Sequence, residues 1–152
     1  MSEYSFKIER YLTPADVALL RREHFIKLQE LSTRYVPEVD LAKGLPAKPE
    51  YLDVVRTSWL LDKTTDRPPH AVLESGLGFA LGLLLSQLLK MKWCSLSDTH
   101  CQYLSMLGTD ETGGTISVPP FNYVKKKEAI QNAEVFVDLF KLLNSKIGRA
   151  QA

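Results

Sequence analysis

Cysteine and histidine are both scarce in this chain of 152 residues, which has two cysteines and three histidines. Two cysteines are too few for the disulfide framework of a small secreted protein. No apolar run reaches the ~20 residues that cross a bilayer, so no membrane span is expected. The start of the chain lacks a basic head followed by an apolar stretch, so no signal peptide is expected either. These absences predict a cytoplasmic protein with reduced thiols.

Net charge is also small, because 19 Lys and Arg residues oppose 18 Asp and Glu residues to give +1. That balance provides no electrostatic basis for binding nucleic acid or an anionic membrane. The 45% hydrophobic and 24% charged content is ordinary for a globular protein. The length fits a single domain, residues 1–152. We expect a helical part over 1–91 and a strand meander with a C-terminal helix over 92–152.

Two amphipathic helices are predicted in the first 61 residues. The first begins at the capping-box pattern Thr13-Pro14-Ala15-Asp16 and ends at Pro37. The second runs over 50–61. A polar loop with a pair of prolines follows and prevents any helix from continuing through it.

The segment 71–90 is the most apolar part of the chain and is hydrophobic on nearly all sides. Such a helix belongs at the centre of a fold, covered by its neighbours. It also contains three glycines, each of which costs about 1 kcal/mol relative to alanine inside a helix. Close approach by neighbouring elements would compensate for that cost. The glycines concerned are Gly76, Gly78 and Gly82.

The periodicity changes from helical to alternating after Lys90. Short strands are predicted over 93–97, 101–107 and 115–118, joined by turns, which makes an antiparallel meander. A final amphipathic helix follows, with Asn132 as its N-cap. The predicted fold class is therefore α+β: N-terminal helices and a central buried helix packed on a three-stranded antiparallel meander, with a C-terminal helix.

Four residues of metal-ligating type fall within eight positions: Cys94, Asp98, His100 and Cys101. They do not form the paired knuckles of a zinc ribbon, so no metal site and no cofactor is predicted. No nucleophile elbow or phosphate-binding glycine loop is present either. An enzyme built on this chain would therefore depend on His24 or His100.

The segment 93–124 contains no Lys or Arg, yet its predicted turns contain three acidic residues. An acidic loop surface attracts a basic partner, because complementary charge raises the association rate. Two aromatic residues are candidate anchors in such an interface. The predicted partner-binding residues are Asp98, Asp110, Glu111, Trp59 and Tyr103.

An ordered pattern over about the last 80 residues resembles a family of small bacterial domains of unknown function. It consists of Leu77-Gly78-Phe79-Ala80-x-Gly82-x-x-Leu85, Leu88-Leu89-x-Met91-x-Trp93, Ser97-Asp98 and Ile116-Ser117-Val118-Pro119-Pro120-Phe121. Such domains are similar to the small proteins encoded beside antibacterial toxins. The resemblance implies an immunity role, and it implies no catalytic residues.

The function predicted from these observations is that of a non-enzymatic immunity protein, which occludes a cognate protein toxin encoded nearby. Two alternatives from other classes stay open. One is a small hydrolase or ligand-binding enzyme that uses His24 or His100. The other is a structural adaptor of a secretion or envelope complex. No pattern in the sequence indicates an oligomeric state.

Overall fold

A computed structural model describes residues 6–148 of the chain. A 3-10 turn at Leu41–Lys43 lies between the first two helices, and a π-helical turn at Asn144–Gly148 follows the last. The expectation about a signal peptide concerns mainly residues 1–5, which lie outside the described part. The elements in chain order are β1 (Lys7–Tyr11), α1 (Pro14–Tyr35), α2 (Pro49–Leu61), α3 (His70–Leu89), β2 (Lys92–Ser97), β3 (Gln102–Thr109), β4 (Thr115–Val118), α4 (Pro120–Lys127) and α5 (Val135–Leu143).

The four strands form one antiparallel sheet in the order β1-β2-β3-β4. The α+β class is therefore confirmed, but the prediction of three strands is wrong, because β1 lies within the part predicted to be helical. All five residues of β1 are exposed, so it lacks the buried alternation that marks a strand in a sequence. Its partner β2 follows three helices later in the chain, and their pairing is irregular between Ile8 and Arg10.

The sheet has two distinct faces. The inner face contributes Trp93 and Met106 to the main hydrophobic core, which also contains buried residues from all five helices. The outer face has a smaller buried cluster of its own, formed by Cys94, Leu96 and Leu107. Most buried apolar residues of the described helices thus belong to the core on the inner side of the sheet.

Helix α3 lies at the centre of this core, as its composition predicts. Its length and mean hydropathy of 1.6 would suit a membrane span, but 61% of that window is buried inside the fold. The close approaches expected at its glycines are confirmed, because each glycine faces a different neighbouring element. Gly76 faces Leu28 and Leu31 of α1, Gly78 faces Phe121 of α4, and Gly82 faces Trp93 of β2.

The start of α1 is fixed by the predicted capping box. The Thr13 side chain accepts a hydrogen bond from the Asp16 amide at 3.1 Å, and the Asp16 carboxylate accepts one from the Thr13 amide at 2.9 Å. Arg10 of β1 also binds Asp16, at 2.6 Å. These bonds lower the pKa of Asp16 to about 2, and the bond from Arg10 contributes most. They therefore tie the edge strand to the first helix.

The start of α5 differs from the prediction. Asn132 accepts a hydrogen bond from the Glu134 amide at 3.0 Å, before the helix begins, so it does not cap the helix. The free amides of the first turn are bound instead by Asp53 of α2. Its two carboxylate oxygens accept from Phe136 N at 2.9 Å and from Val137 N at 3.0 Å. The predicted cap at Asn132 is therefore wrong, because a carboxylate distant in the sequence takes its place.

Candidate functional site

The predicted acidic residues lie in the two turns of the meander, and two of them hold those turns in shape. Asp98 Oδ1 accepts hydrogen bonds from the amides of His100 and Cys101, at 2.7 and 2.9 Å. Asp110 Oδ1 accepts from both Thr112 N and Thr112 Oγ1 and from Gly114 N, all within 2.9 Å. These bonds lower the pKa of both carboxyl groups, so both are ionised at neutral pH.

The two turns do not form one acidic patch. They lie at opposite ends of β3, and its eight residues span roughly 26 Å. Lys146 lies near Asp110 and contributes to lowering its pKa, and the backbone carbonyl of Lys146 accepts a hydrogen bond from the Glu111 amide. The segment 93–124 is thus free of cations in the sequence, but the fold places a lysine beside its second turn.

The two predicted aromatic anchors have different positions. Trp59 is only 1% exposed, and its indole Nε1 donates a hydrogen bond to the Pro68 carbonyl at 2.8 Å. It is therefore a core residue and offers no surface to a partner. Tyr103 is half-buried on the outer face, where it packs against the cluster of Cys94, Leu96 and Leu107. Only Tyr103 of the two is placed where it can contact another protein.

The structure also exposes two large residues that the sequence analysis missed. Ile8 and Tyr11 of β1 are 40% and 51% exposed. They pair with Leu96 and Cys94, so their side chains lie on the outer face. Tyr11 borders a depression of about 340 Å³ that is also lined by Lys92 and Leu107. These residues were missed because β1 itself was missed.

The first of the two candidate catalytic histidines, His24, contacts a serine side chain. Its Nδ1 lies 2.6 Å from Ser75 Oγ, across the contact between α1 and α3. Its Nε2 lies 3.7 Å from the carboxylate of Glu23. Burial lowers the pKa of His24, which leaves the ring neutral at pH 7 and able to accept a proton. The ring is also tilted against that of Phe121, with centroids 4.6 Å apart, so the pair is part of an aromatic contact between helices.

His100, the second candidate, is exposed in the turn between β2 and β3. The residues around it that suggested a metal site are not arranged as one ligand set. Cys94 is buried on the outer face of the sheet, whereas Cys101 is exposed. Asp98 uses its Oδ1 to hold the turn.

A different group of metal-ligating side chains does come together. His70 and Glu74 lie one turn apart at the start of α3, and Glu128 follows the last residue of α4. Their ligand atoms all lie within 4.8 Å of one another. The spacing of His70 and Glu74 is visible in the sequence as a pair four residues apart on a helix. Glu128 could not have been found this way, because only the packing of α4 on α3 brings it close.

A groove of about 780 Å³ lies between α1 and the loops that precede and follow α2. Arg34 forms part of its wall and would suit an anionic ligand. Its guanidinium already binds Asp62 at 2.9 Å, Thr64 at 2.7 Å and Asp66 at 3.1 Å. The charge of Arg34 is therefore compensated within the protein, which removes the main attraction for an anion.

No family profile, curated protein or solved structure matches this chain. These comparisons therefore leave the resemblance to small domains encoded beside toxins as a prediction. The function has to be argued from the geometry of the described residues.

Proposed function

We propose that this protein is a non-enzymatic immunity protein of the cytoplasm, which binds and occludes a cognate toxin through the outer face of its sheet. The observation that supports this most directly is the pair of exposed, ionised turns that border the face. Asp98 lies at one end of β3, and Asp110 and Glu111 lie at the other. Asp98 and Glu111 are exposed, and Asp110 is half-buried. A basic protein surface would find a negative charge at each end of its contact.

The dimensions of the outer face suit a protein partner. The turns are separated by roughly 26 Å along β3, and a standard interface buries about 800 Å² on each partner. Between the turns the face carries the exposed side chain of Tyr11 and the half-buried one of Tyr103. Tyrosines are enriched among the residues that dominate binding energy. Tyr11 therefore replaces Trp59 as the second aromatic anchor of the proposed interface.

Co-expression with the toxin encoded by the neighbouring gene tests the proposal. The variant that tests the role of the acidic turns combines Asp98→Asn, Asp110→Asn and Glu111→Gln. Asparagine keeps the side-chain oxygen that accepts the bonds within each turn, so the fold is retained while three charges are lost. Substitution by lysine would break those bonds and confuse a binding effect with an unfolded turn.

The wild-type chain is expected to co-purify with the toxin and to protect growing cells, and the triple variant to protect less well. A control with the same change in charge is Glu30→Gln with Glu38→Gln and Glu50→Gln, three exposed carboxylates on the helical side. The control should protect as the wild type does. Equal protection by both variants would place the interface elsewhere, and failure to bind the neighbouring protein would overturn the immunity role.

A second candidate, a small hydrolase, is favoured by one observation, the 2.6 Å contact between His24 and Ser75. A neutral histidine beside a serine hydroxyl can act as the base for a nucleophile. A fluorophosphonate probe tests this directly. Labelling of the folded protein that is lost in both Ser75→Ala and His24→Gln would favour the hydrolase. No labelling is the result expected for a binding protein whose Ser75–His24 pair only joins α1 to α3.

A further inference from the structure

The contact between the start of α3 and the end of α4 brings an imidazole and two carboxylates together. His70 Nδ1 lies 2.7 Å from Glu128 Oε1. One ligand atom from each of His70, Glu74 and Glu128 falls within 4.8 Å of the other two. The three side chains differ in exposure: that of His70 is 61% exposed, and that of Glu128 only 15%. The cluster is thus open to solvent on the histidine side and closed on the carboxylate side.

The second oxygen of Glu128 is the unusual atom of this group. Oε2 is inaccessible to solvent and receives no hydrogen bond from the described residues. One carboxylate oxygen of Glu74 lies within 4.8 Å of one from Glu128. Two carboxylates in contact without a donor repel each other unless a proton or a cation lies between them. A cation bound between them would remove that repulsion and give Glu128 Oε2 a partner.

The positions of the three side chains are set by rigid parts of the fold. His70 and Glu74 share one face of α3, the most buried helix. Glu128 is held by the buried guanidinium of Arg56, whose Nη1 donates to the carbonyls of Lys127 and Glu128 at 3.0 and 3.2 Å. The ligand atoms therefore converge without a flexible loop having to close, which lowers the cost of binding an ion.

We propose that His70, Glu74 and Glu128 bind one divalent transition-metal ion, with Zn²⁺ as the best match. One imidazole nitrogen and two carboxylate oxygens are ligands that zinc accepts in sites with three protein ligands. Magnesium and calcium prefer oxygen ligands alone, so the histidine selects against them. The His70 side chain is 61% exposed, so water could reach the ion as a fourth ligand. The expectation of no metal site came from the cysteine spacing, and this cluster uses neither cysteine.

Zinc titration of the purified full chain by calorimetry tests the proposal. We expect one Zn²⁺ per chain, with at least about tenfold weaker binding in His70→Gln and in Glu128→Gln. His100→Gln is the matched control, because His100 also lies near an aspartate but is not in the group of ligand atoms that converge in the described part of the chain. The control should bind zinc as the wild type does. Mg²⁺ at the same concentrations should give no binding.

Two further readouts distinguish a metal site from a structural cluster. The His70 ring meets the Trp59 ring edge-on with centroids 4.8 Å apart, so Cu²⁺ bound at His70 should quench tryptophan emission in the wild type and not in His70→Gln. Glu74→Gln should raise the melting temperature without zinc, because it removes the repulsion between carboxylates. The same variant should lose most of the stabilisation that zinc gives the wild type.

The proposal is overturned if the wild type binds no zinc at millimolar concentration, which would mean that the two carboxyl groups share a proton instead. It is also overturned if His100→Gln abolishes zinc binding while His70→Gln does not. If Glu128→Gln fails to fold, His70→Gln decides the question, because the His70 side chain is mostly exposed and its replacement leaves the core intact.

Discussion

At the scale of single residues, hydrogen bonds decide what a polar or reactive side chain can do. Asp98 is exposed and Asp110 is half-buried, and one carboxylate oxygen of each accepts hydrogen bonds from its own turn. Arg34 faces a groove, yet it is bound by three side chains. Each of these three residues therefore has a structural role within the fold, whatever else its charge contacts. Their internal bonds show that the turns and the loop after α2 need them to keep their shape.

The two thiols should differ sharply in reactivity. Cys94 is fully buried, and burial raises its pKa to about 11, so it holds almost no thiolate at neutral pH. Cys101 is exposed. We expect a thiol reagent such as DTNB to modify one cysteine per folded chain and two in denaturant. The Cys101→Ser variant should be unreactive until it unfolds. Rapid modification of both thiols in the folded protein would contradict the burial of Cys94.

Asp62 should make stability depend on pH in acid. It accepts hydrogen bonds from Thr64 Oγ1 at 2.6 Å, from Tyr35 OH at 2.7 Å and from Arg34 Nε at 2.9 Å. These bonds hold the pKa of Asp62 well below its ordinary value, and those from Thr64 contribute most. Because the pKa of Asp62 is lower in the folded than in the unfolded chain, its ionised form stabilises the fold above about pH 4. That stability is lost as the pH falls further and the carboxylate is protonated.

The variant Asp62→Asn is therefore expected to be less stable than the wild type at pH 7, with a smaller loss of stability between pH 4 and pH 2. Urea unfolding at several pH values measures both effects. Glu38→Gln, an exposed carboxylate on the loop after α1, is the control and should follow the wild-type curve. A parallel pH dependence in Asp62→Asn and wild type would show that the bonds of Asp62 do not favour its ionised form.

At the scale of elements, close packing and distant caps shape the helices. Helix α3 has glycine where α1, α4 and β2 touch it, which lets three elements approach one central helix. Helix α5 begins where Asp53 of α2 supplies the missing acceptors. Both helices are therefore defined by their neighbours as much as by their own residues.

Gly82→Ala should destabilise the protein although alanine favours helix formation. A Cβ at this position would lie 2.1 Å from the indole ring of Trp93, so the buried ring would have to move. Overpacking of this kind costs about 1–3 kcal/mol, against about 1 kcal/mol gained from helix propensity. Gln87→Ala, exposed on the same helix, should be neutral or slightly stabilising. A higher melting temperature for Gly82→Ala would show that β2 packs less closely on α3.

Asp53→Ala should loosen the start of α5. The change removes two acceptors from the amides of Phe136 and Val137, and the loss of a capping side chain typically costs about 0.5–2 kcal/mol. Hydrogen exchange should accelerate at these two amides more than in the middle of α3. Asn132→Ala is the comparison, and its effect on these two amides should be smaller, since the Asn132 side chain binds the Glu134 amide and the Asp138 carboxylate but neither of those amides. Equal effects of the two variants on these amides would show that Asn132 also caps α5.

Local signals in the sequence were sufficient for some elements and not for others. The bounds of α1 follow from the capping box at Thr13 and from the proline after Val36, and β4 ends at the prolines that follow Val118. β1 could not be predicted, because only its pairing with β2 makes it a strand. The same holds for the cap at Asp53 and for Glu128, whose partners are distant in the sequence. Of the candidate sites, the acidic turns were visible in the sequence, while Tyr11 and the carboxylate pair were not.

At the scale of the whole molecule, the proposed interface and the proposed metal site lie on different parts of the surface. The main core lies between the helices and the inner face of the sheet. The acidic turns border the outer face, whereas the cluster of His70, Glu74 and Glu128 lies where α3 meets the end of α4. The proposed interface and the proposed metal site therefore use different residues. Substitutions in the proposed interface therefore leave the residues of the metal site unchanged, and the reverse also holds.

The association rate of the purified chain with the toxin encoded beside it, measured at several salt concentrations, tests the central claim most directly. Exposed charges are screened beyond ~8–10 Å at physiological ionic strength, so an interface guided by the acidic turns should associate more slowly as salt rises. We predict a steep decrease for the wild type and a slower, nearly salt-independent rate for the variant with Asp98→Asn, Asp110→Asn and Glu111→Gln. Identical rates and identical salt dependence in the two proteins would contradict the account.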